Sequence, residues 1–331
     1  MSYRLNYFIF GIAFAAFGVP QVVAASGSWQ PSAPIEIVTG AGPGSVHDRL
    51  ARATQLAIQE KKLITAVSLI VQNKGGAGGT IALGYLDRKP SDAHFIATAT
   101  GTVLTTFAMG KTTFNYADYP VLALPFNDYA LFTVRADSAI KNGKDLVNKL
   151  RANPTSVSFA YATAPGNYNH IAIAEVVNAA NADISKVVLV VHTGGGRAMT
   201  EVLGGHVDVV VGGSGNVLGQ IQAGKMRALG IAAPQRIKSA AMAGIPTWKE
   251  QGVDVIADTP YFFLGPKGIS KQQIDFWEKT LLSAFKMPSW QEFAQRSDVV
   301  TLELGHNEAK KYLEERYQSY LTSLRKLGLA Q

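Results

Sequence analysis

Cysteine is absent from the 331 residues. That excludes disulfide scaffolds, cysteine nucleophiles, thiolate zinc sites and lipid attachment through an N-terminal Cys. Charge is sparse, at 17% Asp, Glu, Lys and Arg, while the apolar fraction of 47% is that of a chain able to bury a core. Basic residues outnumber acidic ones by 31 to 24, for a formal net charge of +7. They are scattered, with no run longer than Lys61-Lys62 or Lys310-Lys311. The basic stripe of a nucleic-acid binder is therefore missing, and no nucleic-acid partner is expected. A mildly positive surface suits small anions, or serves solubility alone. Long apolar runs are scarce as well: after residue 25 none approaches the ~20 residues of a membrane helix.

Residues 1–25 read as a secretory signal. Arg4 supplies the positive start, an apolar stretch runs from Phe8 to Val19, Pro20 breaks it, and Ala24, Ala25 and Ser26 are small enough for a cleavage site. An uncleaved N-terminal anchor is the alternative. The expected location is the periplasm, without a lipid anchor.

From residue 33 short β-branched runs alternate with helical stretches. Strands are expected at 35–39, 69–71, 95–98, 130–134, 156–161, 187–191, 207–211 and 226–231. Ser45 stands three residues before Asp48 at the head of an apolar-periodic run, a helix-start signature. Ser270 with Gln273 starts a second helix, with Ile274, Trp277, Leu281 and Phe285 on its apolar face. A last helix carries Tyr312, Leu313, Tyr320, Leu324 and Leu327, and stops at Gly328. The pattern implies an α/β protein with parallel sheets, and the length suits two of them.

Glycines and small hydroxyl residues recur just after strands. These are Gly40-Ala41-Gly42-Pro43-Gly44-Ser45, Gly75-Gly76-Ala77-Gly78-Gly79-Thr80, Thr100-Gly101-Thr102, Thr163-Ala164-Pro165-Gly166-Asn167, Thr193-Gly194-Gly195-Gly196 and Gly212-Gly213-Ser214-Gly215-Asn216. The carboxyl ends of strands form the ligand crevice of open α/β sheets. Glycine there admits backbone N–H groups to an anion, and the helix that follows adds its positive end. Any one such loop is ordinary structure; six together favour an anion cradle.

Enzyme signatures come close and miss. Gly219 to Lys225 has phosphate-loop spacing, but Met226 replaces the magnesium-holding Ser or Thr. Gly212-Gly213-Ser214-Gly215-Asn216 resembles a nucleophile elbow but ends in Asn216. The histidines His47, His94, His170, His192, His206 and His306 show no metal-ligand spacing and read first as structural. His170 and His192 adjoin glycine-rich loops and are candidates for ligand contact. Asp48 reads as a helix cap that also lies within reach of ligand. Tyr261-Phe262-Phe263 is either core strand or pocket wall. Neither cofactor nor metal is expected.

These segments, in their order, resemble the substrate-binding proteins of tripartite tricarboxylate transporters, the Bug family. The most specific piece is Asn73-Lys74-Gly75-Gly76-Ala77-Gly78-Gly79, similar to that family's Asn-Arg-Pro-Gly-Ala-Gly-Gly. Gly44 to Arg52, Leu203-Gly204-Gly205-His206-Val207-Asp208, Ala223 to Leu229 and Ile245 to Val253 extend the likeness over nearly the whole chain. The chain departs from the family at His192, where Tyr is usual, at Ser45, where a second Gly is usual, and in the 163–167 loop.

The resemblance implies a type II periplasmic-binding-protein fold, two α/β lobes with a hinge of two crossing strands. Lobe 1 is expected at 26–127 and 236–331, and lobe 2 at 128–235. It implies a non-enzymatic, monomeric receptor that passes a small organic carboxylate, a di- or tricarboxylate or an aromatic acid, to membrane transporter subunits, or presents it to a sensor kinase. The expected contacts are Gly40, Ala41, Gly44, Ser45, Asp48, Gly76, Ala77, Gly78, Thr100 and Thr102 from one lobe. The other would offer Thr163, Asn167, His170, His192, Thr193, Gly194, Gly213 and Ser214. A secreted hydrolase using Ser214 with His170 or His192 is the enzymatic alternative.

Overall fold

A computed structural model describes Met1 and residues 29–162, 164–192 and 194–330. The expected signal segment, apart from Met1, lies outside the described residues, as do Thr163 and Thr193. No described helix is long and apolar enough to cross a membrane.

The chain forms two sheets. Strands β1 (Ile35–Thr39), β2 (Leu69–Asn73), β3 (Phe95–Thr100) and β4 (Val121–Tyr129) enter the first. Strands β5 (Leu131–Arg135), β6 (Ser158–Ala162), β7 (Val188–His192), β8 (Val209–Gly212) and β9 (Met226–Ile231) make the second. The chain then returns to the first sheet with β10 (Asp258–Leu264) and β11 (Val300–Leu304). The first sheet runs β11-β4-β10-β3-β1-β2 and the second β7-β6-β8-β5-β9. In the first, β1 is parallel to β2 and β3, while β10 runs antiparallel between β3 and β4. In the second, β6 is parallel to β7 and β8, and β5 is antiparallel to β8 and β9. The chain thus crosses between sheets twice, after β4 and before β10. Backbone bonds tie the crossings together: Ala130 N–H to Ala257 O, Ala257 N–H to Ala232 O, and Ala232 N–H to Ala130 O.

The helices that cover the first sheet begin as the sequence requires. The Ser45 side chain accepts from Asp48 N–H at the start of α1 (Val46–Glu60). Helices α2 (Thr80–Asp87) and α3 (Gly101–Ala108) follow the glycine-rich segment and β3. The second sheet carries α4 (Gly143–Ala152), α5 (Tyr168–Ala179), α6 (Gly195–Leu203) and α7 (Ser214–Gln222). Ser270 and Gln273 complete a reciprocal capping box on α8 (Lys271–Phe285), which buries Trp277, Leu281 and Phe285. Each such side chain contributes about 1.5–3 kcal/mol of burial, and the Trp277 ring N–H finds the Ala93 carbonyl at 2.8 Å. Helices α9 (Pro288–Ser297) and α10 (His306–Lys326) complete the chain, α10 burying Leu313, Tyr320 and Leu324.

Segment 236–257, assigned to the first lobe from sequence, packs its apolar side chains against the second sheet. Trp248, Val253, Val255 and Ala257 share a core with Phe132 and Phe159, and Met242 and Ile245 join Leu131 and Val210. The fully buried Trp248 ring lies 4.8 Å from that of Phe132, edge to face, so this return segment is core to the second sheet although it follows β9.

Candidate functional site

The glycine-rich loops of the first sheet are held by one carboxylate. Asp48 accepts from Gly44 N–H at 2.9 Å, from Asn73 Nδ2 at 3.0 Å and from Arg52 Nε at 3.1 Å. Asn73 also donates to Ala41 O and Thr39 Oγ1, each at 3.0 Å. Burial alone would raise the Asp48 pKa; the Arg52, Gly44 and Asn73 contacts outweigh it and hold the carboxyl below its ordinary range. The loop after β1 and the loop after β2 are thereby bound to each other. They also meet backbone to backbone: a Cβ on Gly40 would lie 3.0 Å from Gly79 Cα.

Two adjoining cavities open on these loops, of about 420 and 490 Å³. The first is lined by elements of the first sheet: Gly40 to Pro43, Asn73, Gly75 to Gly79, Thr100 and Thr102. The second shares Ala41, Gly42, Pro43, His47, Thr100 and Thr102 with it. It then reaches across to Ala162, Tyr168, Asn169, Gly194 to Arg197, Gly215 and Asn216 of the second sheet. First turns of five helices, α1, α3, α5, α6 and α7, border this second cavity. The positive helix ends there favour an anion, although caps engage some of the first-turn N–H groups. No Asp or Glu stands among the described lining residues of either cavity.

Among the residues singled out from sequence, Gly40, Ala41, Gly44, Ser45, Gly76, Ala77, Gly78, Thr100, Thr102 and Gly194 border this cleft. Six others do not. Asp48 braces the loops from behind. The Asn167 Oδ1 accepts from His170 N–H at 3.1 Å to cap α5, and its amide donates to Ala162 O. His170 Nδ1 accepts from Gly166 N–H at 2.9 Å and its ring stacks on Tyr161. His192, at the end of β7, borders neither cavity. Gly213 lies against Asp128. The buried Ser214 hydroxyl bonds Asp128 Oδ1 at 3.2 Å and Ser297 O at 2.9 Å. Among the described residues no histidine hydrogen-bonds Ser214, so the Ser-His pairing of the enzymatic alternative is not formed there.

Other cleft residues escaped the sequence reading as ligand contacts. His47, counted among structural histidines, borders both cavities, 5.2 Å from the Tyr261 ring. Burial pushes it down to about 4, against an opposing hydrogen bond at Thr98, so it faces the cleft uncharged at neutral pH. Its position two residues into α1, beside the Gly44-Ser45 turn, was the available signal. Tyr261 answers the question left open for 261–263: it is core strand and pocket wall at once. Arg49 donates to Gly44 O at 2.8 Å and across the cleft to Gly215 O at 3.4 Å. Among the described residues no group of three His, Asp or Glu could hold a metal ion.

Comparison with known proteins agrees with this architecture. Residues 50–329 match the family described as the tripartite tricarboxylate transporter family receptor. The structure of periplasmic binding protein BugD is similar at a TM-score of 0.78 and 22% identity, over 91% of this chain and 99% of that one. A Rhodopseudomonas palustris protein solved with adipate is similar at 0.81 and 17% identity, over 91% and 99%. Another from the same organism, MatC with bound malate, gives 0.78 and 17%, over 89% and 99%. At these identities the likeness concerns the fold, that of periplasmic binding proteins. The family match spans most of the chain: this protein belongs to the tripartite tricarboxylate transporter receptor family.

Proposed function

We propose that the protein is a periplasmic receptor that closes its two lobes on a small organic carboxylate and delivers it to the membrane subunits of a tripartite transporter. One observation carries this reading: helix first turns and glycine-rich loops from both sheets converge on one cleft whose described lining holds no carboxylate. Backbone donors and neutral hydroxyls bind an anion without the desolvation cost of a fully buried cation. The bound malate and adipate of the two structural neighbours support the ligand class.

The lobes in this reading divide at the crossings near Ala130 and Ala257, with 131–257 moving as one unit because 236–257 packs on the second sheet. Ligand touching both lobes binds the closed form better and shifts the population toward it. Titration calorimetry with malate, adipate, citrate and aromatic acids tests the proposal. Saturable binding of one class at about micromolar affinity is expected, and heat silence across the panel would refute it.

A further inference from the structure

The cleft holds two guanidinium groups in different situations. Arg49 already satisfies two carbonyls, Gly44 O and Gly215 O. Arg197 sits in the first turn of α6, borders the larger cavity and is exposed. Its backbone N–H donates to Gly194 O at 3.2 Å, but among the described residues its guanidinium meets no hydrogen-bond or ion-pair partner, and no described acidic side chain lines the cavity to neutralise it. A second observation comes from α5 on the same side. Asn169 is 4% exposed and borders the same cavity, and its unpartnered Oδ1 accepts only, so it suits a donor on the ligand such as a hydroxyl and leaves Arg197 as the group that meets a second acid. The open guanidinium contrasts with the first cavity, where the polar Asn73 side chain is engaged by Ala41 O and by Asp48 behind the lining.

We propose that Arg197 is a specificity-determining residue that selects ligands carrying two acid groups, one seated in the glycine cradle of the first sheet and the second against its guanidinium. The proposal rests on the carboxylate-receptor reading and narrows it. The two cavities are neighbours through Thr100 and Thr102, so an elongated ligand can occupy both. A guanidinium offers a planar fork matched to a carboxylate. A monoacid of equal length would leave it facing an apolar chain end and gain nothing from it. Since Arg197 is open to solvent, a modest contribution is expected, about a tenfold preference.

Calorimetry on the mature protein and its Arg197→Gln and Arg197→Lys variants tests this. The probes are succinate, glutarate and adipate, each paired with butyrate, valerate or hexanoate of the same carbon number. The wild type should prefer the best diacid over its matched monoacid by about tenfold or more. That ratio should collapse in R197Q and partly recover in R197K, with thermal midpoints unchanged because the side chain is exposed. A ratio equal in wild type and R197Q would overturn the role of Arg197 while leaving the receptor reading intact. Absence of binding by wild type to any mono-, di- or tricarboxylate or aromatic acid would instead remove the carboxylate reading itself, and this inference with it.

Discussion

Gly213 has no side chain where Asp128 needs room: a Cβ there would lie 1.7 Å from Asp128 Oδ2. The carboxylate cannot retreat easily. Its Oδ1 accepts from Tyr129 N–H at 3.0 Å and from Ser214 N–H and Oγ, each at 3.2 Å. Asp128 belongs to a strand of the first sheet, while Gly213 and Ser214 open the last helix on the second. The contact therefore joins the two sheets.

Gly213→Ala should consequently destabilise the protein by about 1–3 kcal/mol, the usual cost of overpacking. The Gly213 φ of −69° suits any residue, so the loss is steric rather than conformational. Urea denaturation measures it. In an Asp128→Ser background the same substitution should cost much less, and equal costs in both backgrounds would contradict the coupling.

Asp128 and His47 should give opposite pH slopes. Burial lifts Asp128 from 3.8 to about 6, against hydrogen bonds from Ser214 and Tyr129. Its contribution is therefore full below the unfolded value and lost as the pH rises through about 6. Burial lowers His47 from 6.5 to about 4. Its contribution is full above the unfolded value and lost as the pH falls through about 4. The limbs overlap and oppose each other in the wild type. Asp128→Asn should leave a protein that weakens more steeply than wild type on acidification. His47→Gln should leave one that weakens less, each by on the order of 2 kcal/mol across the window. Urea midpoints at about pH 4.5 and about pH 7 check both signs.

The crossing strands are clasped by a second carboxylate. Asp258, buried at the head of β10, accepts from Asn127 of β4 at 2.8 Å and from Arg316 of α10 at 3.0 Å. The Tyr320 hydroxyl donates to its backbone carbonyl at 2.7 Å. Asp258→Ala should cost about 3 kcal/mol, because Arg316 is left partly buried without its counter-charge while Asn127 and Tyr312 each lose an acceptor. The double variant Asp258→Ala with Arg316→Met should recover part of that loss in thermal melts.

Much of this architecture was legible in sequence because its signals are local. Ser45 with Asp48, and Ser270 with Gln273, mark helix starts through side chains that meet nearby backbone, and the glycine loops mark strand ends. The crossing strands were harder. Strand β4 is not among the expected strands; Pro125 interrupts its apolar run, and proline argues against an interior strand. The residue falls at an irregularity, where the pairing of β4 with β10 passes from Phe126 to Ala123. Strand β10 contains Pro260 as well. Strand β11 is not among the expected strands either; among the described residues it pairs with β4 alone, through a shifted register. The histidines at 170 and 192 looked functional because they adjoin glycine loops, but sequence neighbourhood does not say which way a ring turns. His170 turns into its own loop, to Gly166.

Gly78 offers the sharpest test of the first cavity. Its φ of +67° favours glycine, and an added Cβ would lie 2.8 Å from Thr106 Oγ1 and 3.2 Å from Thr102 Cγ2. It would also stand 3.8 Å from Ala164 Cβ, which follows β6 of the second sheet. Bulk at this position therefore fills the glycine cradle and presses against the opposite lobe. Gly78→Val should lose about 1–2 kcal/mol of stability from the left-handed backbone. It should weaken binding of whichever carboxylate the wild type accepts by more than about tenfold. Small-angle scattering with saturating ligand should then show the variant less compact than the liganded wild type, because closure is obstructed where the lobes approach. Unchanged affinity in a folded Gly78→Val protein would mean that the cradle between 75 and 79 does not hold the ligand.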